Sequence, residues 1–129
     1  MNKINFNPNY YASVKLEEPE NSFEVIKKML TKNKKISAII CSTEFSALSA
    51  IKACNYLNYK IGKDISIITF DGPVVEALTN PKLTAISHPL EELGTNAIDI
   101  LLGSKKKKLF SNYLVKPHII ERGSVKSLI

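Results

Sequence analysis

Three polar positions follow three apolar runs along this chain, and each lies where a buried strand is expected to end. The run ISAIICS is followed by Thr43 and Glu44, the run ISIITF by Asp71, and the run LTAIS by His88. A carboxylate only accepts hydrogen bonds and offers two oxygens, so it can bind two neighbouring hydroxyls, as found in a sugar or another polyol. The three strand ends therefore form a candidate polyol-binding site if they share one edge of a sheet.

Each of these residues also has a purely structural interpretation. Asp71 precedes a Gly-Pro pair and can be a turn former that bonds its own backbone. Glu44 can be a first-turn acid that stabilises a helix N-terminus by about 0.3–1 kcal/mol. His88 before Pro89 can be a turn or cap residue. Their expected position on one shared edge favours the binding interpretation.

Two hydrophobic periods alternate along the chain and predict an α/β fold, a parallel sheet flanked by helices. The longest apolar runs are typical of parallel strands covered on both faces. The predicted strands are 10–16, 36–42, 65–70, 83–87 and 113–120, and Pro117 makes the last an edge strand or a crossing segment rather than a central strand. Helical spacing predicts helices at 21–33, with Asn21 and Glu24 as a capping box, at 44–58, and at 90–102 before Gly103. In such sheets ligands gather at the carboxyl ends of the strands.

Composition narrows the class of protein. With 44% apolar residues, the 129-residue chain can bury one core, and Cys41 and Cys54 lie inside apolar runs, as expected of reduced thiols. The net charge of +6 comes almost entirely from lysine, whereas base reading prefers arginine, so the KKKK run at 105–108 is interpreted as solvated helix-end cations. Neither a signal peptide nor a membrane span is present, and we expect a cytoplasmic protein.

Catalytic signatures are absent from the sequence. It contains no P-loop, no glycine-rich dinucleotide turn, no GxSxG and no CxxC, and His88 and His118 lack metal-ligand spacing. A phosphoacceptor domain built on Asp71 would need a second acid to hold Mg²⁺, which Glu44 alone does not supply. We therefore expect no enzyme, no metal and no cofactor.

Three segments together resemble a known family. These are SAIICSTEFSALSAIKACNYLNYKIGKDISIITFDG, PKLTAISHPLEELGTNAIDILL and LVKPHIIERGSV, and the resemblance covers about residues 20–125. They are similar to the C-terminal part of the effector-binding domain of LacI/GalR-type transcription regulators. The resemblance implies a partial periplasmic-binding-protein-like (type I) lobe that senses a sugar-like small molecule in a repressor.

The family's site residues fall on specific positions here. The resemblance implies ligand contacts by Asp71, which matches the family, and by Thr43 and Glu44, which stand where the family has Asn-Asp. It implies a further contact by His88, which stands where the family often has Gln. It also implies a homodimer, with contacts at Leu48, Ile51 and Leu78; for Leu48 and Ile51, ordinary core burial is the alternative.

The resemblance also bears on domain organisation. We expect residues 1–129 to be a single fragment of the effector domain, with second-lobe elements at about 10–88 and 113–129. The helix within 89–112 carries an apolar stripe of Leu90, Leu93, Ala97 and Leu101. In the family this helix packs on the first lobe, so we expect the stripe to lack its usual partner here and to be buried against a second copy or against its own sheet. Nothing resembles a DNA-binding head, so DNA contact is expected only through a domain outside this chain, and no membrane contact is expected. The alternative is a lobe of a periplasmic sugar-binding transport protein, which an apolar leader upstream would support.

Overall fold

The structure is a computed structural model that describes residues 7–14, 19–70, 78–103 and 114–127. After a 3-10 turn at Pro8–Tyr10, its elements are α1 (Pro19–Lys32), β1 (Ala38–Cys41), α2 (Glu44–Tyr56), β2 (Ser66–Phe70), β3 (Thr84–Ser87), α3 (Leu90–Leu101) and β4 (His118–Ile120). The four strands form one sheet in the order β1-β2-β3-β4. The predicted α/β class is confirmed.

The sheet is parallel over its first three strands. β1 pairs with β2 and β2 with β3 in parallel, whereas β4 runs antiparallel to β3. Ile39 lies beside Ile67 and Cys41 beside Thr69, so these four side chains share one face, and all four are buried. β4 follows Pro117 directly and forms the outer strand, as the proline predicts.

Helices α1 and α2 cover that face. α2 packs on β1 and β2, and α1 packs mainly on α2. The buried side of α2 consists of small residues with no exposed surface, which let the helix approach the sheet closely: Ala47, Ala50, Ala53 and Cys54. Phe45 lies at helical spacing with the other apolar residues of α2 and was therefore expected to face the core, but its side chain is 66% exposed.

Coverage of β1 on both faces is a second expectation that the structure corrects. Ile39 and Cys41 are buried, but Ile40 between them is 71% exposed. The continuous apolar run therefore reflects one buried face and one open face. Its sequence cannot distinguish this arrangement from a strand buried on both sides, because branched residues occupy both faces.

The beginning of the chain differs from the predicted strand at 10–16. Tyr10 belongs to the 3-10 turn, residues 11–14 have no ladder partner within the described part of the chain, and 15–16 lie outside it. The predicted capping box of Asn21 and Glu24 is also wrong, since α1 already begins at Pro19. Proline suits a first helical position because its fixed φ is helical and it lacks the N–H that would have no partner there.

The C-terminal segment ties the beginnings of β2 and β3 together. The buried Ser124 hydroxyl accepts a hydrogen bond from Thr84 N–H (2.8 Å) and donates one to the Ile67 carbonyl (2.6 Å). Ile67 N–H in turn donates to the Ser124 carbonyl (2.9 Å). Arg122 adds a bond from its guanidinium to the Leu83 carbonyl (2.6 Å). These bonds lie at the amino ends of the strands, opposite the edge predicted to bind a ligand.

Helix α3 turns its polar side toward the molecule. Asn96 is its only buried residue, whereas Leu90 is 66% and Leu101 84% exposed. The helix ends before Gly103, whose positive φ of 66° fits the predicted stop. The apolar stripe of α3 therefore faces away from the described part of the chain. Among the described residues, no helix is long and apolar enough to span a membrane.

Candidate functional site

The carboxyl ends of β1, β2 and β3 lie on one edge of the sheet, because the three strands are adjacent and parallel. Thr43 and Glu44 follow β1 after one intervening residue, Ser42, and His88 follows β3 directly. β2 ends at Phe70, so the next residue in sequence is Asp71, which lies outside the described residues. The structure thus brings the ends of the strands that carry these residues to one edge.

Thr43 has a defined structural role at this edge. It is the N-cap of α2: its hydroxyl accepts a hydrogen bond from Ser46 N–H, while the Ser46 hydroxyl accepts one from Thr43 N–H, both at 3.2 Å. This reciprocal pair fixes the start of α2 against the end of β1. The spacing of a capping box was visible in the sequence, but Ser46 was missed because that position is normally Glu or Gln.

Glu44 and His88 flank the edge with different exposure. Glu44 is the first residue of α2 and is half-buried, which agrees with a first-turn acid near the positive helix terminus as well as with a wall of a binding site. His88 is exposed, and its carbonyl accepts a hydrogen bond from Leu90 N–H (2.9 Å), so its backbone takes part in the turn into α3. Both residues also have further interactions.

A small hydroxyl-lined cavity lies where α1 and α2 begin. Its volume is about 70 Å³, and its lining includes Ser22 of α1 and Ser42, Thr43, Ser46 and Ser49 around the start of α2. A water molecule takes about 30 Å³ in the liquid, so this space holds about two. It is too small for a monosaccharide, so an effector that contacts this edge would have to lie outside this cavity.

The thiol of Cys41, which forms a hydrogen bond with Ser46, is not activated for reaction. Burial raises the pKa of Cys41 to about 12, although its hydrogen bond with Ser46 partly opposes the rise. The group is therefore a neutral thiol at neutral pH, the form in which a cysteine is a poor nucleophile. Within the described ranges, no three His, Cys, Asp or Glu residues are grouped to hold a metal ion.

The residues expected at a dimer interface differ in exposure. Leu48 and Ile51 are half-buried and pack against the core, whereas Leu78 is 74% exposed. Core packing explains part of the burial of Leu48 and Ile51, so their role in a dimer stays a prediction.

Comparison with known proteins identifies what this chain is similar to. Residues 2–125 match the family described as periplasmic binding protein-like domain. The chain is 30% identical over 117 residues to the HTH-type transcriptional regulator RegA of Clostridium saccharobutylicum, covering 89% of this chain and 34% of that protein. It is 32% identical over 132 residues to the HTH-type transcriptional repressor PurR of Haemophilus influenzae, covering 98% and 39%. The chain thus spans little more than a third of these curated relatives.

Solved structures agree on the fold. A transcription regulator from Lactobacillus plantarum superposes with a TM-score of 0.82 at 21% identity, over 98% of this chain and 48% of that one. A sugar-binding transcriptional regulator of the LacI family from Escherichia coli, complexed with phosphate, gives 0.78 at 25% identity over 95% and 44%. The predicted resemblance is confirmed.

Proposed function

Because the chain belongs to the periplasmic binding protein-like domain family, we propose that it is the effector-sensing and dimerisation portion of a cytoplasmic LacI/GalR-type transcription repressor. The two relatives described above are transcription regulators, which favours this role over that of a transport protein. DNA contact would belong to a head domain outside this chain. This lobe would bind a small-molecule effector, and binding would shift the equilibrium between two domain arrangements.

The observation that carries the proposal is the shared edge of three parallel strands. β1, β2 and β3 all end there, and the residues after them are hydrogen-bonding types: Glu44, Asp71 and His88. The helices α1 and α2 also begin there, as their joint lining of the 70 Å³ cavity indicates, so their positive ends favour oxygen-rich ligands. No bond-making chemistry is needed for this role.

Each proposed contact has a distinct task. Asp71 would accept hydrogen bonds from neighbouring hydroxyls of the effector, and Glu44 would flank it as a second acceptor. Thr43 would mainly hold the start of α2 in position, since its hydroxyl is already bonded to Ser46, with its remaining lone pair toward the ligand. His88 would form the far wall. We propose a sugar or sugar-like polyol as the effector class.

The same proposal includes a homodimer. Leu78 is exposed, and Leu48 and Ile51 leave part of their side chains accessible at the margin of the core. In a dimer these side chains would be covered by the second copy.

A chimeric repressor tests the function directly. The part of Haemophilus influenzae PurR that this chain matches would be replaced by this chain, and release of operator DNA would be followed with a panel of mono- and disaccharides, purine bases and sugar phosphates. The proposal expects release by a saccharide. If only a purine base or a sugar phosphate causes release, the effector belongs to that class and not to the saccharides. If the chimera folds and binds DNA but no compound releases it, the sensing role is contradicted.

The isolated chain provides a second check. It carries only one side of the proposed cleft, so calorimetry with the same saccharides should detect little or no binding. Submicromolar affinity of the isolated chain would contradict the two-sided arrangement.

A further inference from the structure

Exposed lysines gather at the amino ends of the parallel strands, the edge opposite the candidate effector site. They lie before β1, before β2, before β3 and in the C-terminal segment, and we call them the basic pole: Lys34, Lys35, Lys60, Lys63, Lys82 and Lys126. Ser66 opens β2, and its hydroxyl accepts a hydrogen bond from Lys126 N–H (3.1 Å), which brings the C-terminal segment to this edge. Stretches far apart in sequence therefore supply the pole.

Backbone contacts hold these stretches together. A side chain at Gly62 would collide with the Gly123 carbonyl oxygen, so the loop before β2 touches the C-terminal segment. A Cβ at Gly123 would lie 3.0 Å from the Cβ of Pro81, which is next to the pole lysine before β3. Lys34 Nζ lies 5.9 Å from the centre of the Tyr59 ring, which links the end of α1 to the same loop. The fold thus fixes the lysine backbones relative to one another.

The loops at this edge carry fewer carboxylates than lysines. Among the described residues, Asp64 precedes β2 and Glu121 follows β4. Asp64 already accepts a hydrogen bond from Lys60 N–H (2.7 Å). The opposite edge has the reverse sign, with Glu44 after β1 and the acids of the first turn of α3 after β3. Positive charge is therefore concentrated at one end of the sheet.

Stabilisation of helix ends explains only part of the pole. Cations favour a helix C-terminus within about the last turn. Lys34 and Lys35 follow α1 closely, since that helix ends at Lys32. The other pole lysines lie in loops beyond the last turn of the described helices: Lys60, Lys63, Lys82 and Lys126. These four need another explanation.

The chemistry of the pole favours phosphate groups over a protein surface. Protein interfaces are enriched in arginine and aromatic residues and depleted in lysine. Arg122, the one arginine of the chain, is half-buried and donates to the Leu83 carbonyl (2.6 Å), whereas arginine is the usual reader of guanine. Lysine is a hydrated point charge that contacts phosphates without distinguishing bases.

The charge density of duplex DNA matches the pole. Neighbouring strands lie about 4.8 Å apart, so the amino ends of β1, β2 and β3 span about 10 Å. Duplex DNA carries one charge per about 1.7 Å of its axis, or about six over that length. An extended acidic peptide carries at most one charge per residue, or one per about 3.3 Å, which is half that density.

We propose that the basic pole binds the phosphate backbone of duplex DNA without reading its sequence. Sequence-specific contact would remain with a head domain outside this chain. The pole would add a second, salt-sensitive contact at the end of the lobe that faces away from the effector edge. This inference does not depend on the nature of the effector.

Fluorescence anisotropy of a labelled 20-base-pair duplex of random sequence, titrated with the full chain, tests the proposal. We expect a Kd of about 100 μM or lower at 50 mM NaCl, the range of non-specific complexes. Contacts with four to six phosphates should make the logarithm of the binding constant fall with the logarithm of salt concentration with a slope of about −3.6 to −5.4.

Two double variants with the same net charge locate the contact. Lys60→Gln/Lys63→Gln should weaken binding at least tenfold at 50 mM NaCl and make the slope shallower by about 1.8, because two phosphate contacts are lost. Lys52→Gln/Lys116→Gln should stay within threefold with an unchanged slope. Lys52 Nζ lies 5.0 Å from the centre of the Phe23 ring on α1, and Lys116 precedes β4, so neither belongs to the pole.

A readout without any variant comes from the ¹⁵N-labelled natural chain. On addition of the duplex, amide shifts should concentrate at 60–63 and 123–126. A 20-residue polyglutamate should bind at least tenfold more weakly than the duplex at the same salt concentration, because its charges are farther apart.

Four outcomes would overturn the proposal. The first is no binding of the duplex at 50 mM NaCl, and the second is equal affinity of the two double variants. The third is polyglutamate binding as tight as that of the duplex, which would identify an acidic polypeptide as the partner. The fourth is loss of binding when lysines 105–108 become glutamine while Lys60→Gln/Lys63→Gln binds like the natural chain, which would place the contact on that run.

Discussion

At the scale of single residues, one buried hydroxyl links two strands and the C-terminal segment. Ser124 bonds both Thr84 N–H and the Ile67 carbonyl, and none of its side chain is exposed. The sequence showed the ERGS segment only as part of a resemblance. Its contacts, which span 40 and 57 residues along the chain, could not be predicted from local pattern.

Ser124→Ala should lower the free energy of unfolding by about 2–4 kcal/mol, because it leaves a buried donor and a buried acceptor without their partner, each costing about 1–3 kcal/mol. Urea denaturation followed by circular dichroism measures this. Ser37→Ala, at an exposed side chain, should change stability by less than about 0.5 kcal/mol. Equal effects of the two substitutions would contradict the role of Ser124.

The two buried thiols, Cys41 and Cys54, make the free energy of unfolding depend on pH in the alkaline range. Burial raises the pKa of Cys41 to about 12 and that of Cys54 to about 11, from an ordinary value of 9.0. Each group stabilises the fold fully below pH 9, and the contribution is lost as pH rises from about 9 toward these values, because only the unfolded chain then releases the proton.

The free energy of unfolding should therefore fall more steeply above pH 9 in the natural chain than in Cys41→Ala. The slope difference should approach about 1.4 kcal/mol per pH unit. Urea titrations at pH 8, 9 and 10 measure it. Parallel pH profiles for the two proteins would show that Cys41 ionises as readily in the folded as in the unfolded chain.

At the scale of secondary-structure elements, the sequence predicted where helices and strands form better than it predicted which of their sides are buried. Most strands and helices after residue 19 formed near their expected positions because each carries a clear period, but β4 is only His118–Ile120, since residues 114–117 of the predicted strand at 113–120 do not pair. The buried side of α2 was predicted only in part: Ala47 and Cys54 were expected on its apolar side, but Ala50 and Ala53 were not, since small alanines carry a weaker hydrophobic signal than larger apolar residues. Residues 10–14 did not form the first part of the strand predicted at 10–16, because their nearest possible partner, β1, lies across a cavity.

The start of α2 should depend on Thr43 apart from any ligand. Thr43→Ala removes the N-cap oxygen bonded to Ser46 N–H and should destabilise the isolated chain by about 0.5–2 kcal/mol, whereas Thr43→Ser keeps the oxygen and should cost less. Thermal unfolding without effector measures both. If alanine and serine destabilise equally, the methyl group rather than the hydroxyl is what matters.

At the scale of the whole molecule, we expect the exposed apolar stripe of α3 to be buried against another protein surface. Burying one leucine contributes about 1.5–3 kcal/mol, and Leu90, Leu93 and Leu101 are all accessible. The sequence predicted this stripe and the loss of its usual partner. It could not predict that Asn96 is the residue facing inward, because the inward contact depends on neighbours distant in sequence.

We expect the isolated chain to self-associate through this stripe as concentration rises, in light scattering coupled to size exclusion. Leu101→Lys should reduce the association, because it places a charge on the stripe. Thr95→Lys adds the same charge at another exposed position of α3 and should leave the association unchanged. A clean monomer with rapid amide exchange throughout residues 90–102 would contradict this expectation.

The central claim is that the edge formed by the ends of β1, β2 and β3 contacts the effector. Its most direct test is effector titration of the PurR chimera with Asp71→Asn or Glu44→Gln, followed by operator release. Each substitution should weaken the effector response at least tenfold, since a hydrogen bond to a charged group contributes about 1.5–3 kcal/mol. Glu121→Gln, after β4 at the opposite edge, should stay within twofold. If Asp71→Asn and Glu44→Gln both respond like Glu121→Gln, the effector does not bind at this edge.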